Sequence, residues 1–198
     1  MATLSEDLGL NLKDLIHKLN LAYDRNDIPY PSPGVGGVCL SKDPYILYNN
    51  FLEKGLDGEL IRKAREINEV APINILSRSV ASLDAVKKDI KNIKLFIIGF
   101  AFKGDPETSD LRESTTIWFL DKLKEHGVNK IWGFDPIVNS NEIVSLGVNY
   151  CSIEEGFQDA DAVYFMNNHR SYGKLDISTL INSMNKPALF FDAWQIFD

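Results

Sequence analysis

Lys94–Phe102 reads KLFIIGFAF: a lysine, then an apolar run broken only by Gly99. The run is too short for a buried helix and does not alternate, so it reads as a strand covered on both faces. Working toward the C-terminus, Ser114–Lys124 spaces Ile117, Leu120 and Leu123 along one side of a helix. Lys130–Phe134, Ala162–Met166 and Ala188–Phe191 read as further strands. Ser140–Leu146 and Ile177–Met184 read as helices between them. Strands alternating with helices predict an α/β fold, a Rossmann-like parallel sheet over residues 91–198.

Toward the N-terminus the spacing becomes helical. Leu12, Leu15, Ile16 and Leu19 share one face, with Asn11 placed to cap and Gly9 to close a preceding turn. Ala22–Ser41 has no such period and reads as a long loop rich in proline and glycine. Asp43-Pro44 predicts a helix start, with Ile46, Leu47, Phe51 and Leu52 as its apolar side and Gly55 as its end. Another helix is expected from near Asp57 to Val70. Pro72 opens a last one, striped by Ile73, Leu76, Val80 and Leu83. Residues 1–90 therefore form a helical part ahead of the α/β part.

With 198 residues, 44% hydrophobic and 25% charged, the chain has enough apolar material for a packed core. Its net charge of −7, not gathered into one region, argues against a nucleic-acid partner. No stretch approaches the ~20 apolar residues of a membrane helix, and the start lacks the pattern of a secretory signal. Cys39 and Cys151 build no disulfide framework, and His17, His126 and His169 are scattered. A cytoplasmic protein is expected.

Two segments carry the candidate chemistry. After the first strand comes GFAFKGDPETSDLRES, Gly99–Ser114, which offers Lys103, Asp105, Asp110, Arg112 and Glu113 at the carboxyl edge of a parallel sheet. Ligands bind at that edge in open α/β sheets, and a lysine and an arginine beside a helix N-terminus suit a phosphate. The alternative is a solvated loop with capping acids. The G-x-G-x-x-G spacing is absent, so Asp135 at the end of the second strand does not by itself announce a dinucleotide site. The other segment is PSPGVGGVCLSKDPY, Pro31–Tyr45. Its glycines let a ligand touch main chain. Cys39 beside Lys42 and a helix start has the surroundings of an activated thiol. The alternative is a small buried apolar residue, which is the reading for Cys151.

GVGGVCLSKDPY (Gly34–Tyr45) and GFAFKGDPETSDLRES, in this order, resemble the UDP-glucose/GDP-mannose dehydrogenase family. LGLNLKDLIHKLN (Leu8–Asn20), AREIN (Ala64–Asn68) and ADAVYFMNNHRSYGKLD (Ala160–Asp176) extend the resemblance over nearly the whole chain. PSPGVGGVC looks most like the branch acting on UDP-N-acetylhexosamines, which favours PGPGVGGHC. The resemblance implies an NAD-dependent enzyme that oxidises the C6 alcohol of a UDP-sugar to a carboxylate through a cysteine thioester. Cys39 matches its nucleophile and Asp43 the acid that places the hydrolytic water. Gly36 and Gly37 match the loop contacting the sugar, Arg25 an arginine reaching substrate across a dimer interface, Lys103 a lysine on the sugar side, and Arg112 an arginine contacting NAD. It further implies a homodimer through the helical part and an N-terminal NAD-binding domain that these residues do not include. Val38, Ser41 and Trp194 stand where relatives often have histidine, proline and arginine. A second reading from another class is a non-catalytic dimeric module that holds a nucleotide sugar.

Overall fold

A computed structural model of the chain describes residues 2–21, 23 and 25–197. Five parallel strands form one sheet: β1 (Leu95–Ile98), β2 (Ile131–Phe134), β3 (Asn149–Tyr150), β4 (Ala162–Phe165) and β5 (Leu189–Asp192). They lie in the order β3-β2-β1-β4-β5. The order reverses between β1 and β4, paired from Leu95↔Ala162 to Ile98↔Phe165. Ligands bind at such a reversal in open α/β sheets, but here the loops leaving the two strands lie against each other, the Gly104 and His169 backbones in contact.

Successive β1 residues serve opposite faces. Leu95 and Ile97 join Phe119, Leu120, Leu123, Ile143 and Tyr164 in one core. Phe96 and Ile98 join Phe157, Val163, Phe165, Tyr172 and Met184 in the other. All four β1 side chains are fully buried, as the unbroken apolar run requires. The first face is covered by α5 (Ala71–Ala85), α6 (Thr115–Glu125) and α7 (Ser140–Ser145). The second is covered by α8 (Ile153–Phe157), a 3-10 turn at Tyr172–Lys174 and α9 (Ile177–Ser183).

β1 is shorter than its apolar run. Gly99 leaves extended geometry at φ +92°, and the Phe100 and Ala101 N–H groups turn onto the Asp135 carboxylate at 2.7 and 3.1 Å. Asn167 Nδ2 donates to that same oxygen, Oδ2, at 3.3 Å, and the other, Oδ1, accepts from Ile137 and Val138 at 2.9 and 3.0 Å. Across this edge, Ser114 Oγ donates to Phe100 O and Thr116 Oγ1 to Gly99 O, both at 2.7 Å. Ser114 also caps α6 through Thr116 N–H at 3.2 Å.

The helical part comprises α1 (Ala2–Asp7), α2 (Leu12–Asn20), α3 (Val38–Glu53) and α4 (Glu59–Glu69), followed by α5. Asn11 caps α2 as expected, and Leu12 and Ile16 are its buried side chains; Leu15 and Leu19 are exposed. The helix expected at Asp43-Pro44 begins at Val38 instead. Gly37, at φ +95°, is its N-cap, and Ser41 N–H reaches Gly37 O at 3.2 Å, so the proline lies inside the helix. In α5 the buried stripe is Pro72, Ile75, Ser79 and Leu83. Leu76 and Val80 flank it and Ile73 is exposed, a rotation of the expected face. Helix α5 packs on α6, and Ile75 and Leu83 share a core with β1. The helices α1 and α8 and the strand β3 lie outside the expected elements. They are five or six residues long, or two for β3, too short for periodicity to register. Among the described residues, no helix is long and apolar enough to cross a membrane.

Asp135→Asn tests the turn-forming role of its carboxylate. The amide nitrogen would face two of the four backbone N–H groups and leave them unpaired. Each such group costs about 1–3 kcal/mol, so urea unfolding should show a loss of about 2–6 kcal/mol.

Candidate functional site

The glycine segment ahead of α3 is held between α4 and the N-terminus of α6. Asn68 on α4 binds Val35 at both ends: Oδ1 accepts its N–H at 2.7 Å and Nδ2 donates to its carbonyl at 3.0 Å. Gly36 faces Glu113 so closely that a Cβ there would sit 2.3 Å from the Glu113 carbonyl oxygen. Gly37 N–H donates to that same oxygen at 3.2 Å, and the Phe102 ring lies 3.1 Å from where a Gly37 Cβ would be. No side chain fits at Gly36, and at Gly37 the φ of +95° disfavours one. The glycines in this structure serve close approach between the helical part and the sheet edge.

Two residues beyond Gly37, Cys39 is exposed in the first turn of α3. Lys42, one turn on, pairs with Asp43 at 2.6 Å, both largely exposed. That hydrogen bond and the Asp43 charge raise the Lys42 pKa, and Cys39 contributes in the same sense. Across the docking contact, Arg112 donates to Asp110 through Nε at 3.0 Å and Nη2 at 2.7 Å. The Arg112 guanidinium and its backbone N–H lower the Asp110 carboxyl to about 2. Arg112 is raised in turn by Asp110 first and, to a lesser degree, by Cys39. Lys42 and Arg112 thus both lie near one sulfur, at the end of α3 that carries the partial positive charge of the helix. Cys151 differs. It is partly buried, and burial pushes its thiol up to about 11.

Lys103 follows Phe102, with Nζ 5.4 Å from that ring's centroid. Gly36, Gly37, Cys39, Arg112 and, through Phe102, Lys103 are therefore brought to one place. Asp43 lies a turn further along α3, at the rim of a groove between α3 and α4. Arg25 is exposed in a turn closed by Asn26 N–H to Tyr23 O at 2.9 Å, and among the described residues no contact ties it to that cluster. Phe102 and Asn68 are members that sequence reasoning did not single out, and Glu113 is read there for its side chain. Glu113 acts through its carbonyl at φ +56°, which no side-chain pattern reveals. A second cavity of about 300 Å³ lies beside the same loop, between Pro31–Pro33, α5 and residues 191–195.

The first βα turn does not fit a dinucleotide. Gly99 is filled by the Asn167 side chain 2.6 Å from a would-be Cβ, and Gly104 by the His169 backbone at 2.2 Å. Asp135, where a ribose-binding acid would stand, is spent on backbone N–H groups. Among the described residues, no cluster of three or more His, Cys, Asp or Glu could hold a metal ion.

The model of the UDP-glucose/GDP-mannose dehydrogenase family, UDP binding domain, matches residues 96–198, and that of the family's central domain matches residues 1–70. The chain belongs to this family. It is 28% identical over 200 residues to a UDP-N-acetyl-D-mannosamine dehydrogenase of Methanococcus vannielii, covering 100% of this chain and 43% of the relative. The protein of that name from Methanocaldococcus jannaschii is 30% identical over 185 residues, covering 93% and 39%. Among solved structures, the UDP-D-ManNAc dehydrogenase of Pyrococcus horikoshii superposes with a TM-score of 0.84 at 28% identity, covering 100% of this chain and 43% of that one. A UDP-glucose dehydrogenase of Pyrobaculum islandicum shares the fold, with a TM-score of 0.79 at 20% identity and coverage of 96% and 41%. The chain spans about two-fifths of the length of these relatives.

Iodoacetamide should alkylate Cys39 well ahead of Cys151 near neutral pH, read by peptide mass mapping. Because the thiolate reacts and the Cys151 thiol titrates at about 11, labelling of Cys151 should climb about tenfold per pH unit up to that value. Gly36→Ala should push the docked loop off Glu113 and cost about 1–3 kcal/mol in thermal or urea unfolding.

Proposed function

We propose that this chain is the cysteine-bearing, nucleotide-sugar-binding portion of an NAD-dependent UDP-sugar 6-dehydrogenase. The proposed substrate is a UDP-N-acetylhexosamine, whose C6 alcohol becomes the carboxylate of a uronate. The single observation that carries this reading is the contact of Gly36 and Gly37 with Glu113 and Phe102, which sets Cys39 against the carboxyl edge of the UDP-binding sheet. The relatives' names, most of them UDP-N-acetyl-D-mannosamine dehydrogenase, support the N-acetylhexosamine branch.

In this reading residues 1–90 are the helical part and 91–198 the nucleotide-binding part, joined by α5. The UDP phosphates lie at the carboxyl edge of the sheet, where Lys103 supplies a charge-assisted donor. Cys39 holds C6 through a carbon–sulfur bond until water cleaves it, and Asp43 orients that water. Gly36 and Gly37, closed against Glu113 and Phe102, hold the cysteine loop beside the sugar rather than offering it their own main chain, and Arg25 reaches a neighbouring subunit's substrate. Alcohol to carboxylate is a four-electron oxidation, so hydride would pass twice to NAD, a fresh NAD+ serving each time. The βα turn of this chain does not seat it, and Arg112 is the residue here that touches it. Helix α3 has no buried side chain, and Ile46, Leu47 and Leu52 on α3 and Leu60 on α4 stand exposed. These apolar side chains support a homodimer through the helical part. A dimeric module that binds nucleotide sugar without catalysis is the alternative, and the exposed thiol favours the enzyme.

Calorimetric titration should show binding of UDP and UDP-N-acetylmannosamine and none of GDP; equal binding of GDP would overturn the assignment. The chain alone should turn over no UDP-hexose with NAD. Activity should appear when a polypeptide carrying the family's NAD-binding domain is added, and should vanish with Cys39→Ser, whereas a binding module would stay silent in both. Sedimentation at tens of micromolar should give a dimer.

A further inference from the structure

The four residues that follow Met166 each reach into the loop that carries Lys103. Asn167 Nδ2 donates to Ala101 O at 3.4 Å. Asn168 Oδ1 accepts the N–H groups of Gly104 and Asp105 at 3.1 and 3.2 Å. His169 Nε2 meets Glu107 Oε2 at 3.2 Å. Arg170 gives Nε and Nη2 to Asp105 Oδ1 at 3.0 and 2.7 Å. The two backbones touch, since a Cβ on Gly104 would lie 2.2 Å from the His169 nitrogen. On the other side of Lys103, Phe102 N–H donates to Asp110 O at 3.0 Å, and the Phe102 ring abuts Gly37.

These bonds are unequal in what they hold. Arg170 and His169 join side chain to side chain near solvent, where such pairs contribute little. Asn167 serves the Asp135 turn. Asn168 alone of the four grips the main chain directly after Lys103, through two N–H groups on one oxygen. A lysine has a long, freely rotating stem. The place its ammonium can reach is therefore set by where its backbone is fixed.

We propose that Asn168 is a positioning residue for nucleotide-sugar binding. It fixes the backbone at Gly104 and Asp105 so that Lys103 presents its ammonium at the carboxyl edge beside the cysteine loop. This rests on the reading of Lys103 as a ligand contact under the proposed function. Asn168 does not touch the ligand, and its effect passes through Lys103.

A double-substitution cycle with UDP as the probe tests it, read as dissociation constants by calorimetry on the full chain. Lys103→Ala should weaken UDP about tenfold. Asn168→Ala should weaken it at least fivefold, and the double variant should bind within about twofold of Lys103→Ala alone. Asn168→Asp, which keeps the accepting oxygen, should restore binding to within about twofold of the unsubstituted chain. If Asn168→Ala does not fold, Asn168→Gln, which keeps the amide but displaces it by one methylene, takes its place with the same expected loss. Wild-type affinity in either variant, or losses that multiply in the double variant, would overturn the role of Asn168 and leave the functional reading intact. Full binding by Lys103→Ala, or no UDP binding by the unsubstituted chain, would overturn both.

Discussion

One buried carboxylate organises the edge on which the site stands. Asp135 ends β2 and collects two N–H groups from the start of its own loop and two from the turn after β1. A parallel sheet leaves the N–H groups of its departing loops without ladder partners, and burial makes such groups costly. Asp135 satisfies four at once, and so fixes the direction in which the chain leaves β1 at Gly99. The Gly99–Ser114 loop, the α6 cap and the clasp from Asn167 to Arg170 take their positions from that departure.

The helical part meets this edge through main chain rather than through side chains. Gly36 and Gly37 close on the Glu113 carbonyl, Asn68 holds Val35 from behind, and α3 starts at the point of contact. A thiol at the second residue of that helix is consequently placed by backbone geometry, with little dependence on its own packing. The cations near it, Lys42 and Arg112, come from opposite sides of the contact and are each tied to an acid next to them in sequence. The site is thus assembled from two parts of the chain that are far apart in sequence, with glycines as the joint.

Much of the α/β part is legible in sequence because its signals are one-dimensional. The β1 run and the alternating helices follow from apolar runs and their spacing, and the ends differ by one residue or a few. The misplacements have identifiable causes. Asp43-Pro44 carries a strong start signal, yet Gly37 already caps the helix in a conformation that only its missing Cβ makes easy, so the proline is absorbed a turn and a half later. Ile73 looks apolar and periodic, but α5 turns Ile75 and Ser79 inward because it must pack on α6. Of the candidate site residues, Cys39, Gly36, Gly37, Lys103 and Arg112 are legible as types at motif positions. The Glu113 carbonyl, the Phe102 ring and the grip of Asn168 are not, since they act through backbone atoms or through contacts between distant segments.

The bare surface of α3 bears on how the chain breathes. A sixteen-residue helix with no buried side chain draws its order from its own hydrogen bonds and from α4, and such helices are marginal in water. The β1 strand is sealed on both faces. Amide protons of the two elements should therefore exchange with solvent through different events, those of α3 by brief local opening and those of β1 only when the whole sheet comes apart. The cysteine rides on the element that opens first. Whatever covers α3 in a larger assembly would then set both how rigidly the thiol is held and how long it is shielded, with no change to the sheet.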